Sequence, residues 1–360
     1  MRSLSARGGR LSCAAGVAGL LVAGTLVATA GPAAADAYNF DSPTSAVAVG
    51  ADLFVANGAG NSLTELNAST GALVAVLSGP SYQFDHPTAI AAVGGDLFVA
   101  NGAGSSLTEV DASTGALVRV ISGTADHFSD PIGLVARSGP VYVLSAGGSV
   151  TAVAATSGRA LWTASGPTYG FSTPTGIATG LGHVFVTNST SNSVTELDAS
   201  TGALVAILSG RAYGFSTPTG DVVANGSLWV TNNTPLVPPG DGSVSRVSAS
   251  TGKALGVQTS GNLPSPGPIA AGDGDVFAAS PPGGSPMITQ ITSSPFIVEW
   301  MMCNTNYATE FVFDEPVAMV VTGTTLWVIN GGGGPVTGGS ATGSVTAISA
   351  VSGNLIGYFD

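Results

Sequence analysis

The chain has 360 residues, of which 44% are hydrophobic and only 8% charged, with 52 glycines, 21 acidic residues and nine basic ones. A net charge of −12 with so few, scattered Lys and Arg excludes a phosphate-binding face, so no nucleic acid is expected as a partner. The same acidic excess keeps a surface rich in Ser, Thr and Gly in solution.

The first predicted element is a leader. Arg2, Arg7 and Arg10 precede an uncharged apolar run over residues 14–30, followed by Ala33-Ala34-Ala35. A basic start, an apolar centre and small residues before a cut define a signal peptide, read here as residues 1–35. The alternative is an anchor left in place, because the run is near the lower length for a spanning helix. The small residues before Asp36 favour cleavage, which leaves no membrane span and a protein that is secreted, extracellular or held in the cell envelope. Cys13 precedes the apolar run, whereas a lipoprotein cysteine follows it, so lipid attachment is not expected. Cys303 is then the one cysteine left; beside Met301 and Met302 on a predicted strand it reads as a buried apolar residue.

Residues 36–360 read as one domain built from a repeat. Pro43, Pro87, Pro131, Pro174, Pro218, Pro266 and Pro316 each open a unit, and ten residues later an apolar strand starts at Leu53, Leu97, Val141, Val184, Leu228, Val276 and Leu326. A constant offset in units of about 45 residues, with several short strands per unit, predicts an all-β, seven-bladed β-propeller of four-stranded antiparallel blades. In the second unit the predicted strands are 89–93, 96–100, 106–111 and 117–122. The second and fourth are continuously apolar, as expected of strands covered on both faces by neighbouring blades. The sixth unit has Ser280 in place of the usual Asn and Pro295-Phe296 in place of the usual Thr-Gly turn, so it is expected to be the least regular. Neither end has a spare strand, so blade one is expected from residues 43–79 and blade seven from 316–360, closed by apolar packing alone.

Recurring residues read mainly as structure. Asn57, Asn101, Asn188, Asn232 and Asn330 end the second strand, where an amide can cap the turn into the third. Phe40, Phe84, Phe128, Phe171, Phe215 and Phe313, with Leu263 in the sixth unit, stand three residues before each proline and read as wedges between blades. Each such burial stabilises by roughly 1.5–3 kcal/mol.

Phe171-Ser-Thr-Pro-Thr-Gly-Ile, Val184-Phe-Val-Thr-Asn, Asn192-Ser-Val-Thr-Glu-Leu-Asp and the Thr201-Gly turn resemble the NHL and YVTN groups of bacterial propeller repeats. The resemblance covers about residues 38–360 and implies a propeller used mostly as a binding surface. NHL repeats commonly place Asp where this chain has Asn188. Trp162, in Thr156-Ser-Gly-Arg-Ala-Leu-Trp, resembles the docking tryptophan of quinoprotein propellers; as a single instance it reads as core.

Catalytic chemistry is hard to assemble from this sequence. His86 and His127 lie on connections between blades, while His183 lies in a first-to-second-strand hairpin on the opposite face, so the three cannot share a metal. His86 and His127 with Asp85 and Asp130 supply the alternative reading, a propeller lyase or hydrolase. The innermost strands, such as Ala46-Val-Ala-Val, Ala89-Ile-Ala-Ala-Val and Met319-Val-Val, show small apolar residues and no acid or base on the axis. No catalytic residue, metal or cofactor is therefore assigned, and the chain is read as a non-catalytic binding or protein-interaction module, monomeric in solution. The candidate surface is the face with the lengthened loops of blades five to seven. There Tyr38, Tyr82, Tyr169, Tyr213 and Tyr307, with His86 and His127, are the candidate contacts for a protein, peptide or carbohydrate ligand.

Overall fold

The structure, a computed structural model, describes residues 38–122, 128–233, 242–259, 263, 265–272, 274–280, 287–293, 296–303, 313, 315–332 and 343–360. Seven four-stranded antiparallel sheets follow one another, over residues 43–78, 87–122, 131–165, 174–209, 218–259, 269–303 and 316–359. Within every sheet the strands pair in chain order, so each blade is a meander. The second blade shows the pattern: Pro87–Val93, Asp96–Asn101, Ser106–Asp111 and Leu117–Ser122. Its opening proline stands opposite Asn101 and the register slips at the next residue. Proline lacks the donor a ladder needs, so it is tolerated at the start of a strand that borders the central axis. The first strands of neighbouring blades touch all the way round, the seventh against the first included. Blade six is the least regular, its first strand reduced to Ile269–Gly272.

The core sits between blades rather than within them. Phe54, Leu77, Phe84, Ile90 and Leu97 form one cluster across blades one and two, and each of the other seams has its own. The wedge residues are buried in these seams, apart from the half-buried Phe171. The second strands are buried almost throughout, as expected; the fourth strands are not. Blades radiate from an axis, so the gap between adjacent sheets widens outward and the fourth strand keeps both its edge and part of its face in water.

Buried polar side chains hold the connections. Asn101 donates through Nδ2 to Ser106 Oγ (3.1 Å) and Thr108 Oγ1 (3.0 Å), while its Oδ1 accepts from the Asp85 amide at 3.2 Å. Thr108 Oγ1 in turn donates to the Tyr82 carbonyl at 2.8 Å, which fixes the incoming chain. Thr44, Thr88, Thr175 and Thr219 each donate to the carbonyl of the next blade's opening proline, Pro87, Pro131, Pro218 and Pro266, at 2.6–2.8 Å.

A third device joins blades at the outside. Leu77, Ile121 and Leu208, fifth in their fourth strands, lie over Gly115, Gly158 and Gly252 in the next blade's third-to-fourth-strand turn. In blade three the fifth residue is the small Ala164, and Trp162 takes over, lying on Gly202 and donating from Nε1 to the Ala199 carbonyl at 3.3 Å. Phe359 does the same on Gly71, so the ring closes by this contact with no shared strand. Tyr38, Phe40 and Trp327 complete that seam.

Gly71 has φ +71° and its missing Cβ would fall within the Phe359 ring, whereas Gly50, at φ +60°, faces open space. Gly71→Ala is expected to cost about 3 kcal/mol and Gly50→Ala only about 1 kcal/mol. Asn101→Ala should cost about 1–3 kcal/mol through the polar groups it strands. Urea midpoints at constant m-value check all three.

Candidate functional site

On the loop face, His86 is exposed and held at φ 55°, its amide donating to Asn61 Oδ1 at 2.7 Å. Asp85 and Asp130 are exposed on the same set of connections, and the Asp130 amide donates to Ser105 Oγ at 3.2 Å. His127, Tyr307 and most of the lengthened loops of blades five to seven lie outside the described residues. His183 is apart from these groups, at the start of blade four's second strand, with Nδ1 3.1 Å from Glu196 Oε1. Burial pushes the Glu196 carboxyl upward and His183 partly offsets it.

The tyrosines do not crown the loop face as expected. Tyr38, Tyr82, Tyr169 and Tyr213 are half-buried, each stacked on the phenylalanine two residues later with centroids 5.1–5.6 Å apart. The Tyr82 and Tyr213 hydroxyls donate to the carbonyls of Gly115 and Gly252, at 2.7 and 2.9 Å. Those glycines lie in third-to-fourth-strand turns, at the far end of the blade. The rings therefore run down the seams, because an apolar ring gains more from burial there than from standing in water.

The central channel contains what the sequence reading missed. A cavity of about 400 Å³ is lined by residues from the first strands of all the blades, among them Thr44, Thr88, Ile90, Leu134, Ile177 and Asp221. A second segment of about 300 Å³ continues it past Ala92, Ala136 and Val223 and also includes Asp221. Among the described residues, Asp221 is the one ionisable residue lining either segment. Three residues after the opening proline, the other blades carry Ala46, Ile90, Leu134, Ile177, Ile269 and Met319. Pro218-Thr-Gly-Asp beside Pro174-Thr-Gly-Ile was the available signal: a carboxylate at an apolar repeat position.

Asp221 Oδ2 is buried with no hydrogen-bond partner among the described residues, and the half-buried residue lines the channel. A Cβ on Gly176 would sit 2.7 Å from Oδ1, so the neighbouring blade's glycine makes room for the carboxyl group. Burial with nothing to offset it holds this carboxyl well above the usual carboxylate range.

The outer rim is the third candidate surface. The second residue of every fourth strand is aliphatic and 45–56% exposed: Val74, Val118, Leu161, Val205, Leu255, Ile297 and Ile356. They form a girdle at equivalent positions around the disc, each on a strand with one unpaired edge. Expected to be covered, these side chains instead repeat an exposed apolar position on every blade.

Residues 81–211 match a family model described as outer membrane protein assembly factor BamB (PQQ_2). The match spans blades two to four. It includes Trp162 on its glycine, and it differs from the NHL and YVTN groups that the repeat residues resemble. No curated protein sequence matches the chain. Among solved structures, hydrazine synthase of Kuenenia stuttgartiensis is similar at a TM-score of 0.62 and 14% identity, over 89% of this chain and 96% of that one. The computationally designed Ika8 protein is similar at 0.54 and 14%, over 80% of this chain and 93% of that one. At such identity these likenesses carry the fold alone.

The pH dependence of stability tests the environment of Asp221. Unfolded, this carboxyl loses its proton near the ordinary value of about 3.9. Folded, it keeps the proton to higher pH, so the native state binds more protons in between and wild-type stability falls as pH rises. Asp221→Asn removes the effect. Calorimetric Tm values of the two proteins are expected to diverge from about pH 4 upward in favour of the variant; parallel curves would show a solvated Asp221.

Proposed function

We propose that the chain is an exported protein-interaction module, monomeric by itself, whose partner covers the outer girdle with an extended segment. The observation that carries this reading is the repetition of an exposed aliphatic residue on all seven open edge strands. Natural sheets guard such edges with Lys, Pro or a cover, and none of the seven girdle positions carries a charge. An edge offers a row of amides and carbonyls, which an extended peptide matches and a sugar does not. Export rests on residues 1–35 and is supported by the envelope role in the matched family's description. Among the described residues no helix is long and apolar enough to cross a membrane.

Val118→Lys with Val205→Lys places charge on two of these edges without touching a core. The Tm is expected to stay within a few degrees, because exposed substitutions change stability by about 0.5 kcal/mol or less. Proteins captured from envelope and culture-medium fractions by the wild type should be lost from the double variant; retention of the same set overturns the reading. The loop face of blades five to seven is tested in the same assay by shortening residues 234–241 and 333–342. Loss of capture there, with the Lys variant unaffected, moves recognition to that face.

A further inference from the structure

Independently of the outer girdle, we propose that the central channel binds a small organic monocation, an alkylammonium, whose charged head pairs with Asp221 and whose alkyl body lies on the apolar ring around it. The geometry supplies each part. The cavity of about 400 Å³ falls in the size range of small-molecule sites. Its one ionisable side chain has an oxygen buried without a partner, an arrangement that costs stability until a donor arrives. At the level of Asp221 the other blades contribute Ala46, Ile90, Leu134, Ile177, Ile269 and Met319, an apolar ring that suits methylene groups, while Thr44, Ser45, Thr88 and Thr219 add polar surface to the same cavity.

The donor set argues against a divalent metal as occupant. Calcium or magnesium requires six or more oxygens, usually with several carboxylates, and this channel offers one. An ammonium needs a single opposite charge and hydrogen-bond acceptors. The hydroxyls of Thr44, Thr88 and Thr219 belong to the cavity lining, and each donates to a proline carbonyl, which leaves its oxygen able to accept. Gly176 and Gly220 keep the approach open; a Cβ on Gly220 would meet the Gly267 carbonyl at 2.8 Å. The net charge of −12 draws cations toward the disc.

Occupancy changes the protonation of the site. The strands packed against that of Asp221 are Pro174–Gly180, His183–Asn188, Ser227–Asn232 and Ile269–Gly272, and His183 is the one ionisable residue they carry. Arg137, beside Gly180, and His183 lie at the hairpin end of blade four. Asp221 is thus the group that gives up a proton when a cation docks, because burial holds that proton on the carboxyl above the usual carboxylate range.

The test uses n-butylammonium chloride as probe and n-butanol as its neutral counterpart, titrated calorimetrically at pH 7 into the full chain. Two buffers of different protonation enthalpy report the proton. Wild type is expected to bind butylammonium saturably with proton release, and at least about tenfold more tightly than butanol. Asp221→Asn should lose that preference, and Asp221→Ile, which restores the repeat residue, should lose it while folding at least as well. Equal binding of the two probes by wild type overturns the proposal without reference to any variant. So does undiminished butylammonium binding by Asp221→Asn, absence of saturable binding by wild type, or displacement of the probe by equimolar potassium.

Discussion

The contact on which this ring depends is a bulky side chain laid over a glycine that has no side chain of its own. Leu77, Ile121, Trp162, Leu208 and Phe359 each press against the position that a Cβ would take on Gly115, Gly158, Gly202, Gly252 and Gly71. Every one of those glycines has positive φ, so the turn needs glycine for its backbone and the neighbouring blade needs it for its surface. Two demands on one residue make the junction intolerant of substitution from either side. They also let the fold close without borrowing a strand, since the seventh seam uses the same contact as four of the others.

Inside that outer clasp, the inner wall is held by Thr hydroxyls on proline carbonyls, and the connections by buried Asn amides. The first strands are consequently fixed on both flanks, and their side chains have little freedom to move away from the axis. Asp221 inherits this constraint. A buried carboxyl on a loop would turn toward water, whereas on a strand tied at Thr219 and Thr231 it stays in the channel. Rigid scaffolds hold unfavourable polar groups in this way, and such groups mark sites where a ligand supplies the missing partner.

Much of this was legible in the amino-acid order. The offset from Pro43 to Leu53, repeated through Pro316 to Leu326, set blade number and register, because a strand's place in a blade is fixed by turn length. The wedge phenylalanines and the terminal Asn residues were legible for the same reason: a role that recurs at one position is a role in the repeat. Exposure of the fourth strands was not legible, since an apolar run does not state whether its neighbour lies close or splays away. The direction of the Tyr82 and Tyr213 rings depended on a carbonyl more than 30 residues away in sequence. Asp221 was visible as a departure from the repeat, but the inner strands sampled for an axial group, those of blades one, two and seven, are apolar at its position. Only the structure shows it lining the channel.

Closure at the seventh seam also determines how the molecule bears load. Tyr38 and Phe359 lie with ring centroids 5.9 Å apart, so the chain enters and leaves the disc at one place. Tension applied between residue 38 and residue 360 pulls first on that seam, where Phe359 rests on Gly71 and Tyr38, Phe40 and Trp327 pack beside it. That seam is the ring's mechanical latch, and its resistance to being pulled open is set by one aromatic and aliphatic cluster rather than by the number of blades.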